Sequence, residues 1–160
     1  MGEKCLAVYP GVFDPPTLGH LDIIRRGLAV FDRLVVAVAV NPGKQPLWSA
    51  AERQAMLREA TADLDRVSVD TYEGLTVDFV KACGARAILR GIRTTSDYDW
   101  ESHLAGTNRA ASGIETVFVM ADGRYAYITS SLVKEVARLG GDVSAMVPPV
   151  VLEALKKRFP

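Results

Sequence analysis

Tyr9-Pro10-Gly11-Val12-Phe13-Asp14-Pro15-Pro16-Thr17-Leu18-Gly19-His20 follows directly on the apolar run Cys5-Leu6-Ala7-Val8. A buried strand thus gives way to a stretch with three prolines and two glycines. Right after it Leu21, Ile24, Leu28 and Phe31 recur at helical spacing, the mark of a helix with one buried stripe. The junction reads as strand, stiff loop, helix. Gly11 is expected to let the backbone turn sharply, Gly19 to let a ligand approach the helix start, and the prolines to hold the loop rigid. His20 then stands in the first helical turn, beside amides that favour negative charge.

Outward from this junction, strand-like and helical runs alternate without an internal repeat or a low-complexity linker. Strands are expected at Leu6–Tyr9, Leu34–Val40, Val67–Thr71, Ala87–Leu89 and Val117–Met120. The second has no polar face, as a strand covered on both sides requires. Ser49-Ala50-Ala51-Glu52 is a capping box, and helices are expected at Thr76–Cys83, Asp97–Arg109, Ser130–Leu139 and Pro149–Phe159. The fold class is α/β: a Rossmann-like five-stranded parallel sheet with helices on both faces, forming one domain over residues 1–160.

In such sheets ligands bind beyond the carboxyl ends of the strands. The segments expected there are the opening stretch, Asn41 to Pro46 with Lys44, Tyr72 to Thr76, Arg90 to Arg93, and Tyr125 to Ser131. One lysine, two arginines, a histidine and three hydroxyls would share that rim. Each has an ordinary reading as well. A histidine at a helix start can be a capping residue, Lys44 an exposed loop lysine, and Thr129-Ser130-Ser131 an N-cap. Arg90 and Arg93 can pair with Asp97, Asp99 or Glu101. These readings would all have to coincide at one sheet edge.

Bulk properties exclude several classes. Nineteen basic and nineteen acidic residues cancel, so no general field draws nucleic acid or an acidic membrane. The longest purely apolar stretch, Leu34 to Val40, is far too short to span a bilayer, and the N-terminus lacks a signal-peptide core, so a cytoplasmic protein is expected. Cys5 and Cys83 fit no metal spacing and read as buried reduced thiols, with a disulfide the alternative. Walker A, GxGxxG and HExxH patterns are absent.

Thr17-Leu18-Gly19-His20 resembles the T/HxGH signature of the nucleotidylyltransferase superfamily. The full series is most similar to the bacterial phosphopantetheine adenylyltransferases: YPGxFDPxTxGH at Tyr9 to His20, NPxKxP at Asn41 to Pro46, LRGIR at Leu89 to Arg93, D-Y-x-x-E at Asp97 to Glu101, Asn108-Arg109 and SSLVKEVA at Ser130 to Ala137. The resemblance implies transfer of AMP from ATP to 4'-phosphopantetheine, giving dephospho-coenzyme A and pyrophosphate in coenzyme A biosynthesis. It also implies Mg2+ bound through the ATP phosphates with no protein metal ligands, a homohexamer, and feedback binding of coenzyme A.

By the same resemblance His20, Lys44 and Arg93 would be catalytic. ATP would be bound by Phe13, His20, Gly91, Ile92, Arg93, Glu101, Tyr125, Ala126, Tyr127, Ile128, Thr129, Ser130 and Ser131. The second substrate would meet Val12, Lys44, Thr76, Arg90 and Asn108. The chain departs from the family pattern at Val12, commonly a hydroxyl residue, and at Thr76 and Thr107, where larger apolar residues often stand. Two other readings compete: a nucleotidylyltransferase for nicotinamide mononucleotide or glycerol phosphate, and a non-catalytic nucleotide-sensing module.

Overall fold

The computed structural model describes residues 5–41, 43 and 45–160; Lys44, expected to be catalytic, lies outside the described residues. In chain order they form β1 Leu6–Gly11, α1 Leu18–Gly27, β2 Arg33–Val40, α2 Ala50–Ala60, β3 Val67–Glu73, α3 Thr76–Ala82, β4 Ala87–Ile92, α4 Thr95–Ser112, β5 Glu115–Met120, α5 Ser130–Arg138 and α6 Pro149–Arg158. The five strands make one sheet in the order β3-β2-β1-β4-β5, every neighbouring pair parallel.

Alternation along the strands explains the layers. Ala7, Tyr9, Leu34, Val36, Val38 and Leu89 pack with Leu21 and Ile24 of α1 and Leu57 of α2. Their neighbours Val8, Ala37 and Ile88 pack on the other face with Val77 and Val80 of α3. Successive strand side chains point to opposite faces, so a sheet covered on both sides needs apolar residues at every covered position, which β2 supplies from Leu34 to Val40. A third cluster gathers Trp48, Met56 of α2, Ile128, Val133 of α5, and Val151 and Leu155 of α6. No helix among the described residues is long and apolar enough to cross a membrane.

Several expectations need correction. Pro10 and Gly11 belong to β1, and Arg90, Gly91 and Ile92 belong to β4, where loops were expected. Their backbones complete the sheet although their residue types suggest turns. Within the Tyr9–His20 stretch the positive φ falls at Phe13, at 52°, and not at Gly11. Gly11 serves packing instead, because a Cβ there would lie 2.9 Å from the Phe13 ring. Cys5 and Cys83 are free thiols, but half-buried rather than buried. α4 runs from Thr95 to Ser112, longer than expected, and buries none of its residues; Trp100 is 66% exposed.

Candidate active site

The order in which successive strands are added to the sheet reverses between β1 and β4, and there the two parallel strands part. Their pairing covers Ala7 with Ala87 and Val8 with Ile88. Two residues on, Pro10 has no N–H to give, and its carbonyl is taken by the Arg90 guanidinium at 2.6 Å. A cavity of about 630 Å3 opens above this parting, lined by Tyr9, Phe13, Asp14, Thr17, Gly19, His20, Arg90, Gly91, Arg93 and Lys134 among others. A smaller one of about 250 Å3 adjoins it and shares Pro10, Gly11, Val12, Arg90 and Glu101.

His20 is the third residue of α1 and closes its capping box. Thr17 Oγ1 accepts from the His20 amide at 3.3 Å, and the Thr17 amide donates to His20 Nδ1 at 3.0 Å. An Nδ1 that accepts carries no proton, so the neutral ring holds its proton on Nε2. The ring stays neutral because burial, then the charges of Arg93 and Arg90, lower its pKa from 6.5 to about 4. Phe13 holds the ring edge-on at 4.9 Å between centroids. The capping reading and the site reading of His20 are therefore compatible: the cap fixes the tautomer.

The arginines are equally fixed. Arg90 grips Glu101 with two nitrogens, Nε to Oε2 at 2.9 Å. Burial works against the Arg90 charge, and the Glu101 bonds and charge more than offset it. Arg93 binds Asp97 at 3.1 Å through Nε and donates to the Ile128 carbonyl at 3.0 Å. The structural pairs thus form, yet all four residues line the cavity. Such pairing holds planar donors in place before an anion arrives.

Two helix starts meet at this wall. Gly19 and His20 belong to the first turn of α1, while Ser130 and Ser131 open α5 behind the N-cap Thr129, whose hydroxyl accepts from the Leu132 amide at 3.1 Å. The first amides of a helix have no partner inside it and suit phosphate. Ser130 Oγ also donates to the Pro15 carbonyl at 2.8 Å, tying α5 to the β1–α1 loop.

Most sequence-derived candidates converge. Val12, Phe13, His20, Arg90, Gly91, Arg93, Glu101, Tyr125, Ile128, Thr129, Ser130 and Ser131 line the main cavity, and Thr76 and Asn108 line the smaller one. Ile92, Ala126 and Tyr127 line neither; Ile92 is 3% exposed in the sheet, and Tyr127 is 54% exposed. Sequence reasoning missed Tyr9, Asp14, Asp97 and Lys134, all on the main wall. The Tyr9 hydroxyl is pushed up to about 12 by burial, which keeps it protonated. Asp14 and Lys134 lay inside quoted motifs, and only their mutual contact, 120 positions apart, reveals them.

The cytidylyltransferase-like family model matches residues 8–136. The phosphopantetheine adenylyltransferase of Caldanaerobacter subterraneus subsp. tengcongensis is 46% identical over 96% of this chain and 97% of its own length. That of Geotalea daltonii is 49% identical over 96% of both. With the shared sequence spanning every segment of the cavity wall, the chain belongs to the phosphopantetheine adenylyltransferase family of cytidylyltransferase-like nucleotidyltransferases.

Proposed function

We propose that the main cavity transfers AMP from ATP to the phosphate of 4'-phosphopantetheine, releasing pyrophosphate and forming dephospho-coenzyme A, with residues 1–160 acting as one nucleotidylyltransferase domain. The observation that carries this reading is the neutral His20 ring, locked by Thr17 on one wall with Arg90 and Arg93. The attacking group is already a phosphate anion, so no catalytic base is needed. The chain must align two phosphates and neutralise developing charge. Alignment is worth roughly 7–11 kcal/mol in the best models.

In this reading His20 donates Nε2–H to the α-phosphate, and Arg93, with Lys44, neutralises the charge that grows there. Arg90 and Lys44 hold the phosphate of phosphopantetheine, aided by the Val12 backbone. Thr76 and Asn108 contact the pantetheine arm in the smaller cavity. The starts of α1 and α5 meet the triphosphate, and the Tyr125–Ser131 segment meets adenine. Glu101 reaches the ribose through lone pairs left over from Arg90.

The donor set fits Mg2+ carried in on the triphosphate. Each wall carboxylate already has a cation, Asp14 with Lys134, Asp97 with Arg93 and Glu101 with Arg90, which leaves the ion to phosphate oxygens and water. When bound, Mg2+ would offset phosphate charge.

A homohexamer belongs to this reading. It draws support from α4, which buries no residue in the single chain and exposes Trp100 and, at 39%, Leu104. Feedback by coenzyme A, through the pantetheine arm, and a cytoplasmic setting complete it. The deciding experiment is pyrophosphate release with ATP and Mg2+. Release with 4'-phosphopantetheine and none with nicotinamide mononucleotide is expected; the reverse pattern overturns the assignment.

A further inference from the structure

Asp14 is 5% exposed, and its carboxylate faces the main cavity. A buried carboxylate is costly unless donors satisfy it, and here three do. Oδ2 accepts from the Leu47 amide at 2.9 Å and from Lys134 Nζ at 2.7 Å, and Oδ1 accepts from the Trp48 amide at 3.1 Å. None of the donors is local: two come from the segment after β2 and one from α5. Arg53, 2% exposed, works from the other side, donating Nε–H to the Trp48 carbonyl at 3.0 Å and NH1 to the carbonyls of Val12 and Ala39. The peptide units of Trp48 are thereby held at both ends by opposite charges.

This arrangement has a cavity-side consequence. Gln45 and Pro46, just before the tied amides, line the main cavity, and so does Lys134. We propose that Asp14 is a positioning residue for the transfer: its carboxylate fixes the Gln45–Trp48 segment and Lys134 of α5 against the β1–α1 loop, and so sets the spacing between the two sides of the cavity. A fixed spacing matters because transfer between two bound phosphates depends steeply on their alignment. A tie of purely structural value would need no place on the cavity wall.

The test is Asp14→Asn in the full chain, which keeps size but removes the charge and offers an amide nitrogen where acceptors are needed. Amide exchange at Leu47 and Trp48 is expected to speed up about 10-fold or more as the tie opens. At saturating substrates kcat is expected to fall by about 10-fold or more, with the ATP Kd within about threefold. Lys134→Met should lower kcat by about 3- to 10-fold and Lys134→Arg restore it to within about twofold. The double variant should be no slower than Asp14→Asn alone, since both changes cut one tie.

Wild-type kcat alongside accelerated exchange would reduce Asp14 to a structural staple and overturn the proposal, as would unchanged exchange or additive losses. If Asp14→Asn does not fold, Lys134→Met decides: wild-type kcat there overturns it. The kinetic half rests on the transfer reaction proposed above, and the exchange half does not. A native chain inactive with ATP and phosphopantetheine would remove the reaction, and with it this role for Asp14, while accelerated exchange would still show the tie.

Discussion

Two charged networks brace the cavity, and they differ in depth. On one flank Asp14 and Arg53 are 5% and 2% exposed. On the other, where α1 meets the β5–α5 loop, Arg26 binds Asp22 and Asp122, and Arg124 binds Asp122, with the arginine side chains 43% and 75% exposed. The exposed network has more ion pairs, and its Asp122 carboxyl is held below the usual range chiefly by the Arg124 hydrogen bond. Pair counts nevertheless mislead, because water screens exposed charges and competes for their bonds. The buried flank has no such substitute, so each lost partner leaves an unmet group.

Removing Arg53 should produce the largest change. Arg53→Met leaves the carbonyls of Val12, Ala39 and Trp48 without their donor and is expected to cost about 3 kcal/mol in urea denaturation, from unmet buried polar groups. A cost near zero would break the distinction between the flanks. His20→Ala comes next: turnover should fall about 10²-fold while ATP binding and folding persist, the scale of one positioned donor. Unchanged turnover would defeat the catalytic role of His20.

The chain has two histidines, which makes a proton NMR titration decisive. His20 should titrate near pH 4, well below the ordinary 6.5, because burial favours its neutral form. The sign for stability follows. Between pH 6.5 and about 4 the unfolded chain takes up a proton that the folded His20 refuses, so acid lowers stability across that window. His20→Gln should remove that part of the slope in denaturation curves at pH 7 and 5. The smallest effect belongs to the exposed flank. Asp122→Asn should move Tm by no more than about 3 °C at low salt and not measurably near 1 M salt.

The contrast also marks where the sequence could be read. β2 was legible because an all-apolar run has only one place to go in a sheet covered on both faces. Thr17 and His20 were legible because caps are local. The ends of β1 and β4 were not: Pro10-Gly11 and Arg90-Gly91 have loop composition, and only the parting strands and the guanidinium reaching Pro10 account for them. Gly91 is there for packing too, since a Cβ would lie 2.6 Å from Ile23 Cγ1 of α1. Asp14 escaped notice because a carboxylate before proline looks like an ordinary turn residue, while its partners lie 33, 34 and 120 positions away. Trp100, a large aromatic within a long helix, lies outside the core of the single chain.

Pro10 has a last implication. Its carbonyl faces β4, so its absent N–H would have faced β4 as well, and the ladder begun at Ala7 runs out of donors at that position. The imino acid works as a zipper stop in the middle of the sheet. The opening between the two strands is thus written into the main chain before any side chain lines it, which leaves the surrounding residues free to change specificity without having to carve it.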